Sequence, residues 1–129
     1  MNKGILTVAM ITAAATAMLT GCSSRTGNYV NYKNKSTSTS VAGSFKSFDG
    51  KIKETLKFDA DKSMTFTFDS DCSDGTITAI IVEKDTDKTV YDFSSGSSTV
   101  IDAESGKKYE IIITLDEAKN GSYNLQWEK

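Results

Sequence analysis

Ser63-Met-Thr-Phe-Thr-Phe-Asp69 and Thr76-Ile-Thr-Ala-Ile-Ile-Val-Glu83 decide the fold. In the first stretch Met64, Phe66 and Phe68 alternate with Thr65 and Thr67, the period of two that puts one face of a strand inward and the other in water. The second is apolar on both faces, as a central strand requires. The same alternation continues in both directions. Upstream, Gly43 to Phe48 runs into Asp49-Gly50, a hairpin turn signal. Lys51 to Phe58 follows, with Ile52, Leu56 and Phe58 on one face and Lys53, Thr55 and Lys57 on the other. Downstream come Thr89 to Phe93, Thr99 to Ala103 and Lys108 to Leu115. Asn120-Gly121 then turns the chain into Ser122 to Glu128, where Tyr123, Leu125 and Trp127 share a face. No stretch beyond the first eighteen residues has sustained helical spacing, and Asp116 to Asn120 has room for one helical turn at most. About eight short strands at regular spacing predict an all-β protein, an antiparallel β-sandwich of jelly-roll-like form.

Composition narrows the chemistry. The chain has 129 residues, a net charge of −2, two cysteines, no proline and no histidine. Without an imidazole there is no triad base, no proton shuttle near neutral pH and no histidine metal ligand. No nucleophile motif such as G-x-S-x-G is present, so the expectation is a protein that is not an enzyme. With no proline to guard sheet edges, Lys51, Lys53 and Lys57 are expected to serve there.

The N-terminal residues read as an address. Met1-Asn2-Lys3 is a short basic start, and Gly4 to Met18 is uncharged and mostly apolar, the order of a secretory signal. Leu19-Thr20-Gly21-Cys22 closes the run and resembles the lipobox of bacterial lipoproteins. That resemblance implies cleavage between Gly21 and Cys22 and a diacylglycerol on the Cys22 thiol. Two or more acyl chains would hold the protein to a membrane. Residues 1–21 are then a signal peptide. Residues 22–40 are the lipidated cysteine and a Ser/Thr/Asn-rich stretch expected to be a flexible tether, and 41–129 are the folded domain. With Ser23 after the cysteine, the resemblance implies the outer membrane in a Gram-negative cell, or the outer face of the cytoplasmic membrane in a Gram-positive one. Arg25, Lys33 and Lys35 make the tether basic, while residues 41–129 hold 11 Lys against 17 Asp and Glu, a net −6. An acidic domain argues against a nucleic-acid partner.

A second resemblance rests on Gly106-Lys-Lys-Tyr109-Glu-Ile-Ile-Ile-Thr114 followed by Asn120-Gly121-Ser-Tyr123-Asn-Leu125. This ending is similar to that of the prepeptidase C-terminal domains, calcium-associated sandwiches appended to secreted bacterial peptidases. It implies a small extracytoplasmic binding or accessory domain. The family's central strand carries an Asp-x-Asp that Gly75 to Val82 lacks.

Candidate sites are few. Asp69, Asp71 and Asp74, in a loop closed by Gly75, are the calcium candidates, since calcium takes clustered carboxylate oxygens. The alternative is a plain solvated Asp-Gly turn. Asp59/Asp61 and Asp85/Asp87 read as strand connections. Tyr91, Phe93, Tyr109, Tyr123 and Trp127 are the aromatic pool for a glycan- or peptide-stacking surface, with core packing as the default. If Cys22 is acylated, Cys72 has no intramolecular partner. The functional expectation is a lipid-anchored, non-enzymatic sandwich that binds an envelope protein or glycan. A structural or protective surface lipoprotein and an accessory or inhibitor module for a secreted hydrolase are the alternatives.

Overall fold

A computed structural model describes residues 17–128 apart from 38, 59, 60 and 105, and leaves the side chains of 17–24, 58 and 62 undescribed. The basic start and most of the apolar run of the expected signal therefore lie outside the described residues, as does the Cys22 side chain.

Among the described residues all regular structure is strand. In chain order the elements are β1 (Ala17–Val30), β2 (Lys33–Asn34), β3 (Ser40–Phe58), β4 (Lys62–Asp71), β5 (Asp74–Glu83), β6 (Lys88–Phe93), β7 (Ser97–Ala103) and β8 (Lys108–Glu128). Every pairing between them is antiparallel. The 19-residue β3 and the 21-residue β8 pair along almost their full length and form the spine. At one end of the spine β2, β3, β8, β4 and β7 make one layer. At the other end β1, β3, β8, β5 and β6 make the second. Phe68 of β4 and Phe93 of β6 meet across the two layers, ring centroids 6.2 Å apart. The fold is an all-β antiparallel sandwich made by folding one continuous sheet on itself.

The alternation places the core. Met64, Phe66 and Phe68, then Ile111, Ile113 and Leu115, then Tyr123, Leu125 and Trp127 are all buried, in a single cluster with Ile52, Leu56, Ala79 and Ile81. Phe66 and Trp127 are register partners and pack ring to ring at 5.8 Å.

Several expectations are corrected. Lys51, Lys53 and Lys57 guard no edge, because β3 is paired along both sides, with β1 and with β8. Asp49-Gly50 and Asn120-Gly121 are not hairpin turns, because the strands on either side of each continue as one strand. They mark the corner where β3 and β8 bend together. The ladder slips between Phe48 and Gly50, and Glu117 and Asn120 take positive φ. The Asp49 carboxylate pins the corner by accepting a hydrogen bond from the Glu117 backbone N–H at 3.2 Å. A strand that passes between layers needs such a bulge, which adds local twist and bend.

A further correction concerns the tether. Residues 23–30 pair with 47–54 of β3 instead of forming a loose spacer, and 33–34 pair with 43–44. Aromatic packing is the cause. Tyr29 stacks on Phe48 at 5.1 Å, its register partner, and Tyr32 packs edge-on against the same ring at 5.3 Å. The Arg25 guanidinium lies over both tyrosine rings, 5.0 and 4.8 Å from their centroids, a geometry in which the ring quadrupole attracts the cation. Tyr32 Oη and Tyr123 Oη share a 2.6 Å hydrogen bond. Gly43 makes the room, since a Cβ there would stand 2.8 Å from Tyr123 Oη and 2.9 Å from Tyr32 Cε1.

Candidate functional site: a groove beside the only tryptophan

The outer face of β4 and β8 is built from cross-strand rows. Thr65 stands opposite Glu128 on β8 and Val100 on β7; Thr67 stands opposite Gln126 and Ser98. These residues point away from the core because their neighbours Met64, Phe66, Leu125 and Trp127 point into it. Thr39 closes the end of the rows, its carbonyl accepting the Trp127 backbone N–H at 3.0 Å. The groove so formed has a volume of about 380 Å³ and is lined by Thr39, Met64, Thr65, Thr67, Gln126, Trp127 and Glu128.

The lining has hydroxyls, one amide and one carboxylate, and no cation. Two apolar residues belong to it as well. Trp127 is the chain's only tryptophan, is 3% exposed, and its Nε1 is the one buried side-chain polar atom without a hydrogen-bond partner among the described residues. A buried N–H left unpaired costs about 1–3 kcal/mol.

The sequence candidates lie elsewhere. Asp69 and Asp71 are exposed, two residues apart on β4 opposite Asn124 and Ser122. Asp74 opens β5 opposite Lys119, and its Oδ1 accepts the Gly75 backbone N–H at 2.9 Å. Among the described residues no three His, Cys, Asp or Glu side chains are grouped to hold a metal. Of the aromatic pool, Phe93, Tyr109, Tyr123 and Trp127 are buried and Tyr91 is half-buried against Phe93. They form no stacking platform. Cys72 is a free, half-buried thiol that donates toward the Gly75 carbonyl at 3.5 Å. Gly21 and Cys22 lie in β1 where its register against β3 slips, between Leu19 and Ser23.

Sequence reading passed over Thr39, Thr65, Thr67, Gln126 and Glu128. Thr39 falls in the expected tether and the other four read as the solvated half of an alternating strand, and only the register that sets Thr65 beside Glu128 brings them together.

No family model matches the chain, and no curated protein matches it in sequence. Solved structures do. The enzymatically active domain of tailspike protein 4 of bacteriophage CBA120 is 17% identical over 81% of this chain, with a TM-score of 0.45; the match spans 18% of the tailspike chain. A family 35 carbohydrate-binding module from an environmental isolate is 10% identical over 88% of this chain and 93% of its own, with a TM-score of 0.47. A carbohydrate-binding module of Cellvibrio mixtus lichenase 5A, in complex with cellotriose, is 7% identical over the same shares, with a TM-score of 0.44. At such scores the fold of this chain rests on its own strands.

Proposed function

We propose that this protein is a lipid-anchored, extracytoplasmic binding module without catalytic activity, and that the groove between Thr39 and Glu128 takes an uncharged, hydroxyl-rich ligand such as an envelope glycan. The groove's lining carries the reading. Hydroxyls of Thr39, Thr65 and Thr67 and the amide of Gln126 both donate and accept, which suits a ligand that presents hydroxyl groups in both roles. Glu128, in a domain of net −6, disfavours an anionic ligand.

The anchor reading rests on Leu19-Thr20-Gly21-Cys22. Ser23 stands beside Glu54, whose partner on the other side is Ile111, toward one end of the β3–β8 pair, and Gln126 stands beside Ser40 at the other end. An acyl chain on Cys22 would therefore fix the end of the spine away from the groove.

The test is a titration with neutral oligosaccharides released from the cell envelope, followed by Trp127 emission. A saturable change that is lost in Thr67→Val with Gln126→Ala supports the reading; no change with any neutral oligosaccharide overturns it. Acyl labelling lost on Cys22→Ser is expected, and labelling retained in that variant would overturn the anchor.

A further inference from the structure

Among the described residues four strands border the sheet, and three carry features that discourage a further strand. β1 slips register between Leu19 and Ser23 and holds Arg25. β2 is two residues long and includes Lys33. The ladder of β6 slips between Ile81 and Val82, and β6 begins at Lys88. Slips, brevity and lysine are the ordinary protections of an open edge.

β7 has none of them. Ser97-Ser-Thr-Val-Ile-Asp-Ala103 contains no lysine, arginine, proline or glycine. It pairs with β4 without interruption from Lys62/Ala103 to Phe68/Ser97, and its other side pairs with no described strand. At its centre Val100 is 62% exposed, the largest value among the exposed large hydrophobic residues.

We infer that β7 pairs antiparallel with β7 of a second copy of this chain, about a two-fold axis at Val100. The strand's own sequence selects the occupant. With the axis at Val100, valine meets valine, and on the same outer face each Ser98 hydroxyl meets the Asp102 carboxylate of the copy. Asp102 already accepts Ser63 Oγ at 2.5 Å, and its second oxygen has further acceptor capacity. Other registers lose this match. An axis at Asp102 sets the two carboxylates against each other, and like charges directly opposite are destabilising. Axes at Thr99 or Ile101 set Val100 against a serine or an aspartate. The pairing joins the two outer faces, so that the row Glu128, Thr65, Val100 runs on into Val100, Thr65 and Glu128 of the copy. Two grooves would then open on one continuous sheet face. The inference stands on the edge strand alone and does not depend on what the grooves bind.

The test is oxidative cross-linking of the full chain in intact cells, with Cys72→Ser as the parent and Val100→Cys added. Val90→Cys, an exposed valine on the β6 edge, is the control. A covalent dimer through Val100→Cys that is absent from the parent and the control is expected. Adding Ser98→Asp should abolish the dimer by facing two carboxylates, whereas Ser98→Lys should retain it by facing Asp102 with a cation. Cross-linking no greater than in the control, or a dimer indifferent to Ser98→Asp, would overturn the pairing.

Discussion

Removing the Tyr32 hydroxyl should destabilise the protein more than removing its partner's. Tyr32 and Tyr123 share one 2.6 Å hydrogen bond, but their surroundings differ. Tyr123 is 2% exposed, whereas Tyr32 is half-buried at the edge of the core. Tyr32→Phe leaves the Tyr123 hydroxyl buried without this partner, at a cost of about 2 kcal/mol. Tyr123→Phe leaves the Tyr32 hydroxyl where water can replace the lost bond, so the cost is about 1 kcal/mol. In the double variant neither hydroxyl is stranded. Its cost should match that of Tyr123→Phe and fall well short of the sum, which is the signature of a direct coupling. Urea unfolding followed by Trp127 emission is the assay, since that indole is buried and is the chain's only one. With a slope near 2 kcal/mol per M, Tyr32→Phe should lower the midpoint by roughly 1 M urea. An unchanged midpoint for Tyr32→Phe would refute the reasoning, because residues 25–34 would then be a spacer whose aromatic rings contribute nothing to the fold.

Further outcomes follow from the same packing. Burial, aided by the hydrogen bond that the neutral Tyr123 hydroxyl shares with Tyr32, pushes the Tyr123 phenol well above the usual tyrosine range. Its contribution is fully present below the unfolded value of about 10 and is lost as pH rises beyond it, at up to about 1.4 kcal/mol per pH unit. Alkaline melts of Tyr123→Phe should therefore show a shallower decline than the parent. Gly50→Ala should cost about 2 kcal/mol by overpacking, since its Cβ would fall on the Thr26 carbonyl and 2.9 Å from the Gly27 Cα; an unshifted melting temperature would contradict that close approach. Phe68→Ala removes a fully buried ring that meets the opposite layer and should cost about 4 kcal/mol in chemical denaturation.

The inward faces of the strands were legible in the sequence because burial in a sheet has a period of two, and no distant information is needed to see it. Met64, Phe66 and Phe68, or Tyr123, Leu125 and Trp127, identify themselves by alternation and are all buried. The two false hairpins failed for a physical reason. Asp-Gly and Asn-Gly suit a bulge within a strand as well as a tight turn: the ladder slips at Asp49 without ending β3, and Asn120 takes positive φ without ending β8. Only the partner strand distinguishes the two uses. Here Phe48 faces Ala118 and Gly50 faces Leu115, so each dipeptide sits in the middle of the other strand's ladder. The N-terminal segment was hidden by its average composition. Ser, Thr and Asn dominate it, and two tyrosines suffice to dock it because Phe48 and Gly43 supply the surface they need.

Docking that segment changes what an anchor on Cys22 would mean. A free tether of eighteen residues would let the domain wander tens of ångströms from a bilayer and turn in any direction. With Ser23 already paired to Glu54, there is no slack between the attachment point and the sheet. An acyl group there would act on a rigid edge strand, so the lipid would set the orientation of the sandwich as well as its location. The basic residues then fall into place differently. Arg25 is held over Tyr29 and Tyr32, and its role is to pack the strand onto the domain. The corner at Asp49 and Glu117 carries that fixed orientation from the layer holding β1 to the layer holding the groove, because β3 and β8 cross it as unbroken strands. Rigidity along this path is what would let an anchor at one end of the spine present Thr65, Thr67 and Gln126 at the other.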